Sequence, residues 1–456
     1  MSRWSLFVVL LVGCHGSPRP AAPTTSAVTG HVTVAPGVAA TRGKLFVTWM
    51  TVEEKHTLDT ERLPLLVVQD MISRGTVVGE VDAAHGAAFT VHPGRGRIVL
   101  SAAVDVGHAG VVSLFGVGGA LHGVSAPFEA TDAAFTAPPI TLTAAAPPHK
   151  ELCQGPGLTL ERLDAPEVAG TVGNPTSRRV CVRVPRDYAD HPARHYPVIF
   201  GLPGLSGTDE SLIAHGDVSS DAAIVVFVDT STKTGSTYLV DSPITGAWDT
   251  FFAKHLVPYI DAHYRTLPTR SARGLMGHST GGFNAMSYGL RHPELFGAIG
   301  SSSPDGLDFT VWLHRPLPRW MVGWQRVERE LAGPGQFVSY SADWSPTARG
   351  YDWLFDDSGA IVDAVLQRWL PNTPATWLRD PQRVAALKPF SDHIYLTVGD
   401  ADEFGLHDPT VAFSHELDAA GIRNQLVLTH GGHLTHLDEQ TKATVQFCTS
   451  HLDAAR

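Results

Sequence analysis

The stretch Arg273-Gly274-Leu275-Met276-Gly277-His278-Ser279-Thr280-Gly281-Gly282-Phe283-Asn284-Ala285-Met286 constrains this chain more than any other. A short apolar run leads into Gly277-x-Ser279-x-Gly281. Phe283, Met286 and Leu290 then recur at helical spacing until Pro293. A serine at the tip of a sharp strand-to-helix turn needs small residues two positions away on either side, because side chains there would block the turn. The following helix aims its first N–H groups and the positive end of its dipole at the place where an oxyanion would form. A plain glycine-rich turn has the same letters; the strand and helix on its flanks set this one apart. The pattern predicts a strained turn that presents the Ser279 hydroxyl, with Thr280 supplying an N–H to the same spot.

From Cys153 onward, strand-like and helix-like runs alternate, which predicts an α/β unit over residues 153–456 with a mostly parallel sheet. Residues 196–200 and 222–229 read as buried strands. Residues 247–264 carry Phe251, Phe252, Leu256, Tyr259, Ile260 and Tyr264 at helical spacing. Ile394-Tyr395-Leu396-Thr397-Val398-Gly399 is a later strand candidate, with Asp400, Asp402 and Glu403 just past its end. Gln425-Leu426-Val427-Leu428-Thr429 is another, and His433 follows it on a loop. Functional groups in such sheets sit beyond the carboxyl ends of strands, and the order serine, acid, histidine suits nucleophilic catalysis. His430, His433 and His436 do not read as a metal cluster, because Gly431-Gly432 interrupts any helix that would align them. No metal and no organic cofactor is expected. Residues 302–392 form an insertion holding seven of the ten Trp, read as a cap whose rings mostly build its own core, with a minority reaching a pocket.

The 456 residues carry a formal charge of −11, which argues against nucleic-acid binding. Arg3 precedes the apolar run Leu6-Phe7-Val8-Val9-Leu10-Leu11-Val12, which is too short to span a bilayer. It ends in Leu11-Val12-Gly13-Cys14, which resembles the lipobox of bacterial lipoproteins; that resemblance implies lipidation at Cys14 and a signal segment over residues 1–14. Residues 15–29 read as a flexible tether. Short strand-like runs between turn signals fill residues 30–143 and predict a smaller all-β sandwich, a binding or spacing module; Leu63-Pro64-Leu65-Leu66-Val67-Val68 is one of those runs. Their order resembles the C-terminal β-sandwich of cytochrome c biogenesis proteins of the CcmH/CycH type. Residues 144–152 read as a linker. Cys448 reads as a buried thiol on a C-terminal helix, and Cys153 and Cys181 are candidates to pair in an oxidising compartment.

The C-terminal unit resembles the Putative esterase family, the esterase D-like branch of the α/β-hydrolases, over roughly residues 155–450. The segments that carry this are Gly201-Leu202-Pro203-Gly204-Leu205-Ser206-Gly207-Thr208-Asp209-Glu210, Trp248-Asp249-Thr250-Phe251-Phe252, the elbow through His292-Pro293-Glu294-Leu295-Phe296, and Gly431-Gly432-His433. The resemblance implies an α/β-hydrolase fold in which Ser279 is the nucleophile and His433 its base. The family's Gly-x-x-Asp register selects Asp402 from the three acids, and the second oxyanion donor falls on the Leu205 N–H. Pro203-Gly204 departs from the family's usual His-Gly or Ser-Gly, which affects a side chain and leaves the backbone donor in place.

These readings together give an exported, lipid-anchored serine esterase of the bacterial cell envelope, at the outer membrane, its periplasmic face or the cell surface. Its partners would be a small-molecule or carbohydrate ester and, through the anchor, a membrane. Two alternatives share the sequence: an acyltransferase that moves the acyl group to a sugar or alcohol, as in the related mycolyltransferases, and a non-catalytic surface binding protein on the same scaffold.

Overall fold

Five consecutive strands of the C-terminal unit are buried at every position: Val198–Leu202, Ile224–Val228, Arg273–His278, Ala298–Ser302 and Ile394–Gly399. Strands covered by helices on both faces read as continuous apolar runs, which is why these segments do not alternate. The computed structural model describes residues 27–36, 38, 42–60, 65–82, 85–106, 110, 121–144, 151–215, 218–314, 317 and 319–455. The signal segment with Cys14, most of the tether, and linker residues 145–150 lie outside the described residues.

We number the C-terminal strands β1 (Leu158–Asp164), β2 (Ser177–Arg183), β3 (Val198–Leu202), β4 (Ile224–Val228), β5 (Arg273–His278), β6 (Ala298–Ser302), β7 (Ile394–Gly399) and β8 (Gln425–Thr429). They form one sheet in the order β1-β2-β4-β3-β5-β6-β7-β8. β2 runs antiparallel to both its neighbours, and every pair from β4 to β8 is parallel. The order reverses at β3, which lies between β4 and β5, so a crevice opens beyond the carboxyl ends of β3 and β5. The helix expected over 247–264 runs from Trp248 to His263, with a π turn over Phe252–Leu256. Cys448 lies on the C-terminal helix Leu437–Ser450, fully buried, and burial pushes its thiol up to about 12. Cys153 and Cys181 are joined in a disulfide, their Cα atoms 5.8 Å apart.

The N-terminal unit is rich in sheet. Among the described residues, nine strands between Val28 and Ala144 pair into one sheet around a separate core that includes Val28, Leu45, Phe89, Ile98, Leu100 and Ile140. Two α-helices among the described residues depart from the all-strand expectation. Leu65–Arg74 takes up the run read from Leu63 as a strand, because Leu65, Gln69 and Ile72 share one face that the fold buries. Short apolar runs do not themselves distinguish helix from strand. Val52–Thr60 buries no residue, so it left no apolar period to read. Its signal was a capping box: the Glu54 N–H donates to Thr51 Oγ1 (3.0 Å), and the Thr51 N–H to Glu54 Oε2 (2.8 Å).

The two units press together. Helix Leu65–Arg74 lies on Arg319–Leu331 of the cap insertion. Phe46 and Ile72 belong to the same buried cluster as Trp320, Met321 and Trp324. Arg326 Nη2 donates to the carbonyls of Gly75 (2.8 Å) and Ser73 (3.3 Å), and Lys44 Nζ to the carbonyl of Glu330 (2.6 Å). At Gly323 the helices come so close that an added Cβ would lie 2.8 Å from the Ser73 Cα. Replacing a mid-helix glycine by alanine ordinarily stabilises by about 1 kcal/mol. Here the methyl meets backbone, so Gly323→Ala is expected to lower the melting temperature, with overpacking worth about 1–3 kcal/mol. Calorimetric unfolding measures this; a raised Tm would contradict the packing described.

Candidate active site

Ser279 follows β5 directly and has φ 59° and ψ −126°, a conformation L residues rarely adopt. Helix Thr280–Arg291 starts at the next residue. The two glycines are explained by their neighbours: a Cβ at Gly277 would fall 2.2 Å from the Gly281 carbonyl oxygen, and one at Gly281 2.0 Å from the Leu202 carbonyl oxygen. Helix and β3 therefore touch backbone to backbone. The Ser279 N–H is held by the Ser302 carbonyl on β6 (2.9 Å), and the Ser279 carbonyl accepts from Phe283 (3.0 Å) and Asp305 (3.3 Å).

His433 lies on the loop after β8 and Asp402 on the loop after β7. His433 Nε2 is 3.0 Å from Ser279 Oγ, and His433 Nδ1 is 2.8 Å from Asp402 Oδ2. Both side chains are buried, Asp402 completely. Asp402 Oδ1 accepts from the Phe404 N–H (3.0 Å), which turns the other oxygen to the imidazole. The remaining two acids are engaged elsewhere. Glu403 Oε2 accepts from the His433 backbone N–H (2.7 Å) and so holds the loop. Asp400, at the surface, accepts from the Gly431 N–H (2.9 Å) and pairs with the His430 ring (3.0 Å); those bonds hold its carboxyl below the usual range. His430 and His436 are exposed and point to other partners than His433 does.

Burial by itself would lower the His433 pKa. The charge and hydrogen bond of Asp402, helped by Asp305 and Glu403, outweigh it, and the net direction is upward from the ordinary value.

Leu205 sits on the loop that follows β3. Among the described residues, neither the Leu205 N–H nor the Thr280 N–H has a hydrogen-bond acceptor. The loop turns through Gly207 N–H to the Gly204 carbonyl (2.9 Å), and Ser206, at φ 56°, donates its N–H to Ser236 Oγ (2.8 Å). Gly204 is close enough to the nucleophile that a Cβ there would lie 3.4 Å from Ser279 Cβ.

A cavity of about 200 Å³ opens at Ser279. Trp312, Trp320, Trp324, Phe404 and Leu406 make its walls apolar, while Asp305 and Gln336 are its other polar members. Three of the seven insertion tryptophans thus reach the pocket. Trp344 and Trp369 instead pack with Tyr340 inside the cap. Sequence reading missed Asp305. Its Oδ2 accepts from Thr280 Oγ1 (2.9 Å), Tyr238 OH (3.0 Å), Tyr340 OH (3.0 Å) and Gln336 Nε2 (2.8 Å), joining the elbow to the insertion. Its position past the end of β6 was the available signal. Complete burial raises its pKa, against those four donors.

A sheet in this strand order, with a serine elbow after β5, an acid after β7 and a histidine after β8, defines an α/β-hydrolase. The chain belongs to the Putative esterase family, whose pattern matches residues 174–438, more than half of the chain. Two curated relatives from Mycobacterium tuberculosis are similar to it: Esterase Rv1288 (strain ATCC 25618 / H37Rv) and Esterase MT1326 (strain CDC 1551 / Oshkosh). Each is 30% identical over 145 residues, which is 30% of this chain and 31% of the relative. The chain thus spans about a third of the length of the curated relatives it matches. Among solved structures, a ferulic acid esterase is 20% identical, with TM-score 0.48, covering 65% of this chain and 98% of that one. The S-formylglutathione hydrolase FrmB of Staphylococcus aureus is 12% identical, with TM-score 0.44, covering 64% and 98%.

The upward shift at His433 can be read without turnover. In an NMR titration the His433 ring is expected to keep its proton to a pH above about 6.5, the ordinary histidine value. Asp402→Asn should lower that midpoint, because burial then acts without its main opponent. An unchanged midpoint in the variant would show that Asp402 does not carry the effect.

Proposed function

We propose that this chain is a serine esterase in which Ser279, His433 and Asp402 act together on a carboxylic ester. The observation that carries the reading is the unbroken line from the Ser279 hydroxyl through His433 to buried Asp402, at 3.0 and 2.8 Å, facing an apolar pocket. Ser279 Oγ attacks the ester carbonyl as His433 Nε2 takes its proton. Asp402 keeps the remaining N–H of the ring on Nδ1 and stabilises the imidazolium. The N–H groups of Leu205 and Thr280 receive the oxyanion. Collapse of this intermediate expels the alcohol, which leaves with the proton from His433. Water then attacks the acyl-enzyme by the same route and frees the acid and Ser279.

The proposal includes export and a lipid anchor at Cys14, with the bacterial cell envelope as its site and a small-molecule or carbohydrate ester as substrate. Two things support it: the N-terminal run ending in Leu11-Val12-Gly13-Cys14, and a disulfide between Cys153 and Cys181, which suits an oxidising compartment.

Turnover of a chromogenic short-chain ester tests the chemistry. Ser279→Ala should fold normally and lose roughly four to six orders of magnitude. Asp402→Asn should lose about three to four, by favouring the wrong tautomer. Asp400→Asn and Glu403→Gln should each cost far less, since neither touches the ring. A folded Ser279→Ala protein with near-normal activity would refute the mechanism.

For the anchor, the full chain expressed in a bacterium that processes lipoproteins should partition with membranes, and Cys14→Ser should release or misprocess it. Mass spectrometry that finds an unmodified N-terminus at another residue would rule the anchor out.

A further inference from the structure

Among the described residues lining the pocket at Ser279, Leu65 alone comes from the N-terminal unit. It is buried, 6% exposed, and begins helix Leu65–Arg74. The same helix lies along Arg319–Leu331, the insertion helix that brings Trp320 and Trp324 to the pocket. The contacts that seat the two helices, at Gly323 with Ser73 and at Arg326 with the end of Leu65–Arg74, fall between and just past those two tryptophans. The N-terminal unit therefore reaches the site twice: directly through Leu65, and through the helix it braces.

We propose that Leu65 is a specificity-determining residue: the N-terminal unit closes the substrate pocket, and Leu65 bounds the size of the apolar group an ester can place there. The inference rests on the esterase reading and deepens it. The pocket's walls are tryptophan, phenylalanine and leucine, and its polar groups cluster at Asp305 and Gln336, beside the nucleophile. Such a lining favours an aliphatic chain or a single aromatic ring, with the reacting ester at the polar end. A wall that ends a pocket discriminates by length, because a group too long meets it and a group too short leaves unfilled space. One methylene in an apolar pocket typically changes kcat/KM by about 10- to 200-fold. Moving the wall by several carbon atoms should therefore shift the preferred length visibly.

The test uses the full chain and two p-nitrophenyl or alkyl ester series, one lengthened on the acyl side and one on the alcohol side. Leu65→Ala should raise the kcat/KM ratio of long over short esters by about tenfold or more in at least one series, and Leu65→Trp should lower it. Leu66→Ala serves as the control: Leu66 is the next residue of the helix, 63% exposed and not part of the wall, and its ratios should stay at the wild-type values. Ratios unchanged in both Leu65 variants and in both series would overturn the proposal. A wild-type protein that hydrolyses no ester would count against the esterase reading instead. In that case calorimetric titration with methyl ketones of increasing length reads the wall without turnover. Tighter long-chain binding in Leu65→Ala and weaker in Leu65→Trp would uphold the proposal, and identical profiles would overturn it.

Discussion

The backbone contact between the start of helix Thr280–Arg291 and the end of β3 is the constraint on which the site depends. Only a residue without a Cβ fits where Gly281 meets the Leu202 carbonyl. That contact lets the helix start at once after β5 and forces Ser279 to φ 59°. The loop after β3 lies beside the nucleophile: a Cβ at Gly204 would come 3.4 Å from Ser279 Cβ, and Leu205 lines the same pocket as Ser279. The strain at Ser279 is held by buried β5 before it and by the following helix, which packs on buried β3.

The second tier of the site is polar and buried. Asp305 gathers four donors on one oxygen, from the elbow (Thr280), from the segment after β4 (Tyr238) and from the insertion (Gln336 and Tyr340). Glu328 plays a matching part in the insertion, accepting from the N–H groups of Gln336 (2.7 Å) and Val338 (2.9 Å) at the start of helix Gln336–Trp344; burial pushes its carboxyl up to about 8. Buried polar groups of this kind cost stability unless fully bonded, and when bonded they fix one arrangement. The insertion is thereby locked to the elbow from within, while the N-terminal unit holds it from outside at Gly323 and Arg326. The pocket lies between these two supports.

Much of this was legible in the sequence because chain order and strand ends restrict where the functional groups can be. Ser279, the acid and His433 each fall just past the end of a sheet strand, β5, β7 and β8 in chain order, and short apolar runs mark those strands. Choosing among Asp400, Asp402 and Glu403 took a family register, since loop residues point in directions that spacing does not encode; the structure gives each acid a different partner. The N-terminal helices were hidden for opposite reasons. Val52–Thr60 buries nothing and had only its capping box to announce it, whereas Leu65–Arg74 begins with an apolar run that suits a strand equally well. Asp305 and Leu65 reach the pocket through tertiary packing between segments far apart in sequence; only the position of Asp305 past the end of β6 hinted at the first, and no local pattern marks the second. Nor does a local pattern mark which tryptophans line the pocket: Trp312, Trp320 and Trp324 do.

The most direct test of the central claim is covalent trapping. Incubated with a fluorophosphonate, the full chain should gain the mass of a single phosphonyl group, and peptide mapping should place it on Ser279. His433→Ala should slow that labelling strongly, because nothing then accepts the proton as the hydroxyl attacks. An adduct on another residue, or no adduct in a folded protein, would contradict the account.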